Sequence, residues 1–168
     1  MRSFSFFVAI LFVLSSHSLA QKSVEPPDEN ASVEELQKWL AGSLVKYGTY
    51  KTRGAAVDVS NVKFEACTIK YTVTRKSGST STAVMGATRT VNTAKEEVAV
   101  DATLMSNDRL KLADNVYPEL QTIEMGLKAG DATGIGDDRV IELVVKLEAA
   151  KAIQAALLQV ARGCIAKN

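Results

Sequence analysis

The chain has 168 residues, with 20 Lys+Arg against 19 Asp+Glu, a single histidine and two cysteines. That length suits one domain with at most a tail. The near-neutral charge offers no basic excess of the kind that nucleic acids or anionic membranes attract, and the composition is neither disordered nor collagen-like.

Residues 1–20 read as an address. Arg2 supplies a positive start, residues 6–14 are an unbroken apolar run, and Ser18-Leu19-Ala20 is a small-x-small cleavage site before Gln21. The run is too short to span a membrane, and no later stretch reaches the roughly 18 apolar residues a span requires. No cysteine follows the cut, so a lipid anchor is not expected. The expectation is a secreted or periplasmic protein with no transmembrane segment after cleavage. Cleavage removes Arg2, the only charge in the segment, and His17, the only histidine. The remaining chain holds nineteen charges of each sign and no imidazole.

Residues 21–31 contain Pro26-Pro27 and several acids but almost nothing apolar, and read as a flexible tail. Asn30-Ala31-Ser32 fits the N-glycosylation pattern, which matters only in a eukaryotic secretory host. A single α+β domain is expected over residues 32–168. It opens on Ser32-Val33-Glu34-Glu35, a capping box, followed by Val33, Leu36, Leu40, Leu44 and Tyr47 at helical spacing and Gly48 as the stop.

The pattern then changes to period two. Val57 and Val59 alternate with polar residues, as do Val62 and Phe64, then Cys67, Ile69, Tyr71 and Val73. The change of parity between Phe64 and Cys67 predicts a bulge or sharp bend near Glu65-Ala66. Ser77-Gly78-Ser79 reads as a hairpin tip and residues 82–91 as a Thr-rich strand. Further alternation runs through Val98, Val100 and Leu104, through Ile123, Met125 and Leu127, and through Ile141, Leu143, Val145 and Leu147. A last helix carries Ile153, Ala156, Leu157, Val160, Ala161 and Cys164 on one face. No helical pattern interrupts residues 57–147, so the sheet is antiparallel. The expected order is an N-terminal helix, a curved five- to six-stranded sheet, and a C-terminal helix packed on it; a pleckstrin-homology-like roll is one topology that satisfies this order.

Cys67 and Cys164 both lie on core-facing positions and are expected to pair in an oxidising compartment. Without histidine, Ser-His-Asp and Cys-His catalysis and His-ligated zinc are excluded. There is no Walker loop or dinucleotide fingerprint. Ser43-Leu44-Val45-Lys46 and Ser60-Asn61-Val62-Lys63 match an S-x-x-K pattern without its companion motifs, and are chance matches. Asp131, Asp137 and Asp138 sit in a glycine-rich stretch without calcium-loop spacing. Tyr47, Tyr50 and Tyr71 read as core-edge residues rather than a sugar platform. No metal or other cofactor is expected.

The stretch from Val62 to Tyr71, the meander after it and the Ala-rich closing helix ending at Cys164 resemble small exported bacterial proteins of uncharacterised function. The resemblance implies export and a helix–sheet–helix order, and implies no activity. The leading expectation is therefore a non-catalytic exported module that binds a partner protein, a peptide or an apolar small molecule in a groove between helix and sheet. The alternatives are a histidine-free hydrolase or lyase working through carboxylates, and an accessory protein acting only through protein contacts. The intact mass of the exported protein under denaturing conditions should correspond to a chain beginning at Gln21; a mass that retains residues 1–20 would remove the basis for export.

Overall fold

The computed structural model describes residues 24–28, 30–83, 86–127 and 139–166. Helix α1 spans Val33–Gly48. Its capping box forms as the sequence predicts: the Ser32 hydroxyl accepts from the Glu35 N–H at 3.2 Å, and the Glu35 carboxylate accepts from the Ser32 N–H at 2.9 Å. Leu36, Leu40, Leu44 and Tyr47 are buried, while Glu34, Lys38 and Lys46 are exposed. Just past the helix, the Thr49 hydroxyl accepts from the Val59 N–H at 3.1 Å and donates to the Asp58 carboxylate at 3.2 Å. That tie fixes Gly48 against Val59.

Seven strands follow, in two antiparallel sheets rather than one. β1 (Tyr50–Lys51), β2 (Ala55–Glu65), β3 (Thr68–Ala83) and β4 (Gly86–Asp101) form the first in the order β1-β2-β3-β4. β5 (Met105–Asp114), β6 (Leu120–Leu127) and β7 (Arg139–Lys146) form the second in the order β5-β6-β7. Helix α2, Leu147–Ile165, closes the domain, packing on β5, β6 and α1. α1 packs in turn on β2 and β7. No helix among the described residues is long and apolar enough to cross a membrane.

Three features differ from the sequence reading, each for a physical reason. A bulge that the sequence reading did not expect lies within β2: the β2–β3 register slips between Ser60 and Lys63, with Asn61 at φ 54°. Asn tolerates the left-handed region, and the extra residue flips β2 parity. Val59 opposite Val73 and Phe64 opposite Ile69 thereby face the same core. Ala66, at φ 51°, belongs to the two-residue turn joining β2 to β3, which is the sharp bend expected near Glu65-Ala66. A two-residue turn pairs residues of opposite parity, which is why the inward positions switch from even to odd across it.

Ser77-Gly78-Ser79 is not a hairpin tip but the middle of β3, paired with Asn92, Val91 and Thr90. The apolar pairs at the base, Ile69 with Val100 and Tyr71 with Val98, fix the register, and the chain must then reverse between Ala83 and Gly86 whatever its local composition. β5 was not anticipated, and Leu104 is not a strand residue. Ala102–Leu104 forms a turn of 3₁₀ helix, capped by the Asp101 carboxylate, which accepts from the Thr103 N–H at 2.9 Å. This corner breaks the alternation and starts the second sheet. The polar run Ser106-Asn107-Asp108-Arg109, inside the register shift between Met105 and Leu110, conceals the strand.

Cys67 and Cys164 are joined in a disulfide with their Cα atoms 5.8 Å apart, closing a sequence separation of 97. In the chain-entropy account a bridge of this span stabilises the fold by about 4–5 kcal/mol. Val24 lies partly buried beside α2, and its N–H donates to the Glu148 carbonyl at 3.4 Å.

Two helical glycines test the packing. A Cβ on Gly48 would lie 2.9 Å from Val59 Cγ2, whereas one on the exposed Gly42 would meet nothing within 4 Å. Chemical denaturation should find Gly48→Ala destabilised by about 1–2 kcal/mol and Gly42→Ala stabilised by about 0.5–1 kcal/mol.

Candidate binding groove

On the inner face of the first sheet, burial falls away along the strands. At the base Ile69 and Val100 are closed off, in the middle Tyr71 and Val73 are nearly so, and beyond them Arg75 and Glu96 are exposed. What remains open is a groove of about 580 Å³, within the range of ligand sites. Its floor is the inward set Val57, Val59, Tyr71 and Val73, with Tyr50 of β1 at one side.

The walls are of another kind. Val140 to Val144 on β7 and Glu96 to Ala99 on β4 all border the space. Successive residues of a strand point to opposite faces, so a run of consecutive residues borders the cavity through backbone as well as side chains. β4 and β7 are each the last strand of their sheet, and no backbone hydrogen bond among the described residues joins them. The groove is thus framed by two open strand edges over an apolar floor.

An ion pair stands at the mouth. Arg75 donates from Nη1 to the Glu96 carboxylate at 3.0 Å, diagonally across β3 and β4. With both side chains more than half exposed (59% and 57%), it contributes at most about 1 kcal/mol, and its role is to shape the opening. Burial, reinforced by nearby Glu96, pushes the Tyr71 phenol up to about 12, against a smaller opposing pull from Arg75. Burial likewise raises Tyr50, opposed by Arg75 and assisted by Tyr117. Both tyrosines therefore present neutral hydroxyls beside the floor at neutral pH.

The acidic groups of the groove, Glu96, Glu97 and Glu142, are all exposed. Elsewhere, hydrogen bonds from Ser32 hold Glu35 below the usual carboxylate range, and Lys70 does the same for Glu65. Among the described residues no group of three or more His, Cys, Asp or Glu is placed to hold a metal ion.

The structure brings together Cys67 and Cys164, and it brings Tyr50 and Tyr71 to one groove. Tyr47 is separated from them, buried on α1 beside a shallower depression that passes Trp39. That depression is bounded by α1 on one side and by Val24, Pro27, Asp28, Asn30 and Ala31 on the other. Ser43 is buried on α1, Ser60 pairs with Thr72 in the sheet, and neither borders the groove. Asp131, Asp137 and Asp138 lie outside the described residues. Sequence reasoning missed Arg75, Glu96 and the two edges. The available signal was a charge at Arg75 on the inward parity of β3, where the alternation calls for an apolar residue. No family model, no curated protein and no solved structure matches this chain.

The tyrosine shift has a stability consequence. The Tyr71 pKa is raised in the folded state, from an ordinary value of 10.0 to about 12, so its contribution is full below pH ~10 and is lost as pH rises toward ~12. Denaturation free energy should fall across that window in the parent, and the fall should be smaller in Tyr71→Phe.

Proposed function

We propose that the chain is an exported, non-catalytic binding module whose ligand is an extended stretch of polypeptide laid into the groove as an additional strand. The observation that carries this reading is the bordering of one cavity by consecutive residues of both β4 and β7. Open edges present rows of N–H and C=O groups, which another backbone can satisfy and a small apolar molecule cannot. The floor of Val57, Val59, Tyr71 and Val73 supplies apolar contact for alternate side chains of the added strand.

The exposure of Glu96, Glu97 and Glu142 favours binding over acid–base chemistry, because carboxylates are tuned for catalysis by burial. The leader-like residues 1–20 and the Cys67–Cys164 bridge support export to an oxidising compartment. Four strands followed by three, with a helix directly after the last, support the finer reading of the fold as a strongly curved roll of the pleckstrin-homology-like kind.

Selection of short random peptides on the disulfide-intact protein tests this reading. Selected peptides should alternate apolar and polar residues, should slow amide exchange at residues 96–99 and 140–144, and should lose affinity for Val57→Arg. Selected peptides that protect other segments, or that bind Val57→Arg equally well, would defeat the proposal.

A further inference from the structure

Resting on that strand-addition reading, we infer that the added strand is cationic on the face turned away from the floor. The inference comes from the charges that flank its place. On β4 the inward residues are even-numbered, so Glu97 points to the outer face. On β7 the inward residues are odd-numbered, so Glu142 points outward as well. A strand added to either edge has its outward side chains beside that edge's carboxylate, at the spacing where cross-strand pairs interact.

The second sheet strengthens the case. Its outer face carries a row across the strands in which Lys111 stands opposite Glu124, and Glu124 stands directly opposite Glu142. Like charges directly opposite one another are unfavourable, and no ion pair among the described residues takes up Glu97, Glu124 or Glu142. The next place in that row, beyond Glu142, is the added strand. A lysine or arginine there lies beside Glu142, whose own neighbour on β6 is another carboxylate. Among the described residues Arg75 is the cation bordering the groove, and it is already bonded to Glu96 on the inner side. The occupant that satisfies both faces is a partner segment with apolar residues inward and basic residues outward.

Three capped peptides test the inference: one built on Val-Lys-Val-Lys-Val, one with Glu in place of Lys, and one with Thr in place of Lys. Binding is read by calorimetry at low salt, together with amide exchange at residues 96–99 and 140–144. The expected order is basic, then neutral, then acidic, with roughly tenfold or more between the extremes. The order should compress at high salt and invert in the double variant Glu97→Lys/Glu142→Lys. Both side chains are exposed, so this variant should fold, and an unchanged far-UV spectrum would verify it.

Equal binding of the basic and acidic peptides, or an unchanged order in the double variant, would overturn the cationic occupant while leaving strand addition standing. Failure of all three peptides to bind or to protect the edge amides would overturn both. A concentration-dependent dimer protecting the same amides without peptide would give the groove to a second copy of the chain, and would likewise overturn the inference.

Discussion

The meeting point at the Ala66-Cys67 turn is the constraint on which the other elements depend. Four parts of the chain converge there. The Cys67 sulfur is bonded to Cys164 near the end of α2. The Cys67 carbonyl accepts from the Ala102 N–H at 2.8 Å, tying in the corner between the sheets. The Ala66 carbonyl accepts from Gln37 Nε2 of α1 at 2.9 Å. The helices also approach closely near this end, since a Cβ on Gly163 would collide with the Val33 side chain. Covalent bond, corner and both helices are thus pinned to one hairpin base.

Pinning one end accounts for the other end being open. Ile69 and Val100, at the base, are buried, whereas Arg75 and Glu96, farther along, are exposed. The β3–β4 ladder continues to Ala83 opposite Gly86, well past the last β2 pairing at Ala55 opposite Ser77. The β3–β4 ladder therefore runs on beyond the groove floor, whose residues Val57, Val59, Tyr71 and Val73 lie where β2 and β3 are still paired. Exposed strand edges invite indiscriminate pairing, and charged side chains on an edge are a recognised protection against it. Lys95, Glu96 and Glu97 on β4 and Glu142 on β7 meet that description.

Much of the fold was legible in the sequence. The Ser32 capping box and the Leu36, Leu40, Leu44, Tyr47 spacing defined α1 closely, and the Ile153 to Cys164 stripe defined the buried face of α2. The period-two runs placed β6 and β7, and the parity of Cys67 and Cys164 put both sulfurs toward one core. Less of the site was legible. Tyr50 and Tyr71 were noticed as aromatics, but nothing local linked them to Glu96 or to residues 140–144, which lie far away along the chain.

What the sequence by itself determined is what neighbouring residues dictate: where helices begin, which face of each element is apolar, which positions the cysteines occupy. Those properties follow from caps and periodicity, which act over a few residues. Only the tertiary structure decided the division into two sheets, the reversal between Ala83 and Gly86, and the open seam between β4 and β7. An edge is defined by a neighbour that is missing, and register by contacts made many residues away. Neither leaves a mark in the local pattern, and the candidate site is built from both.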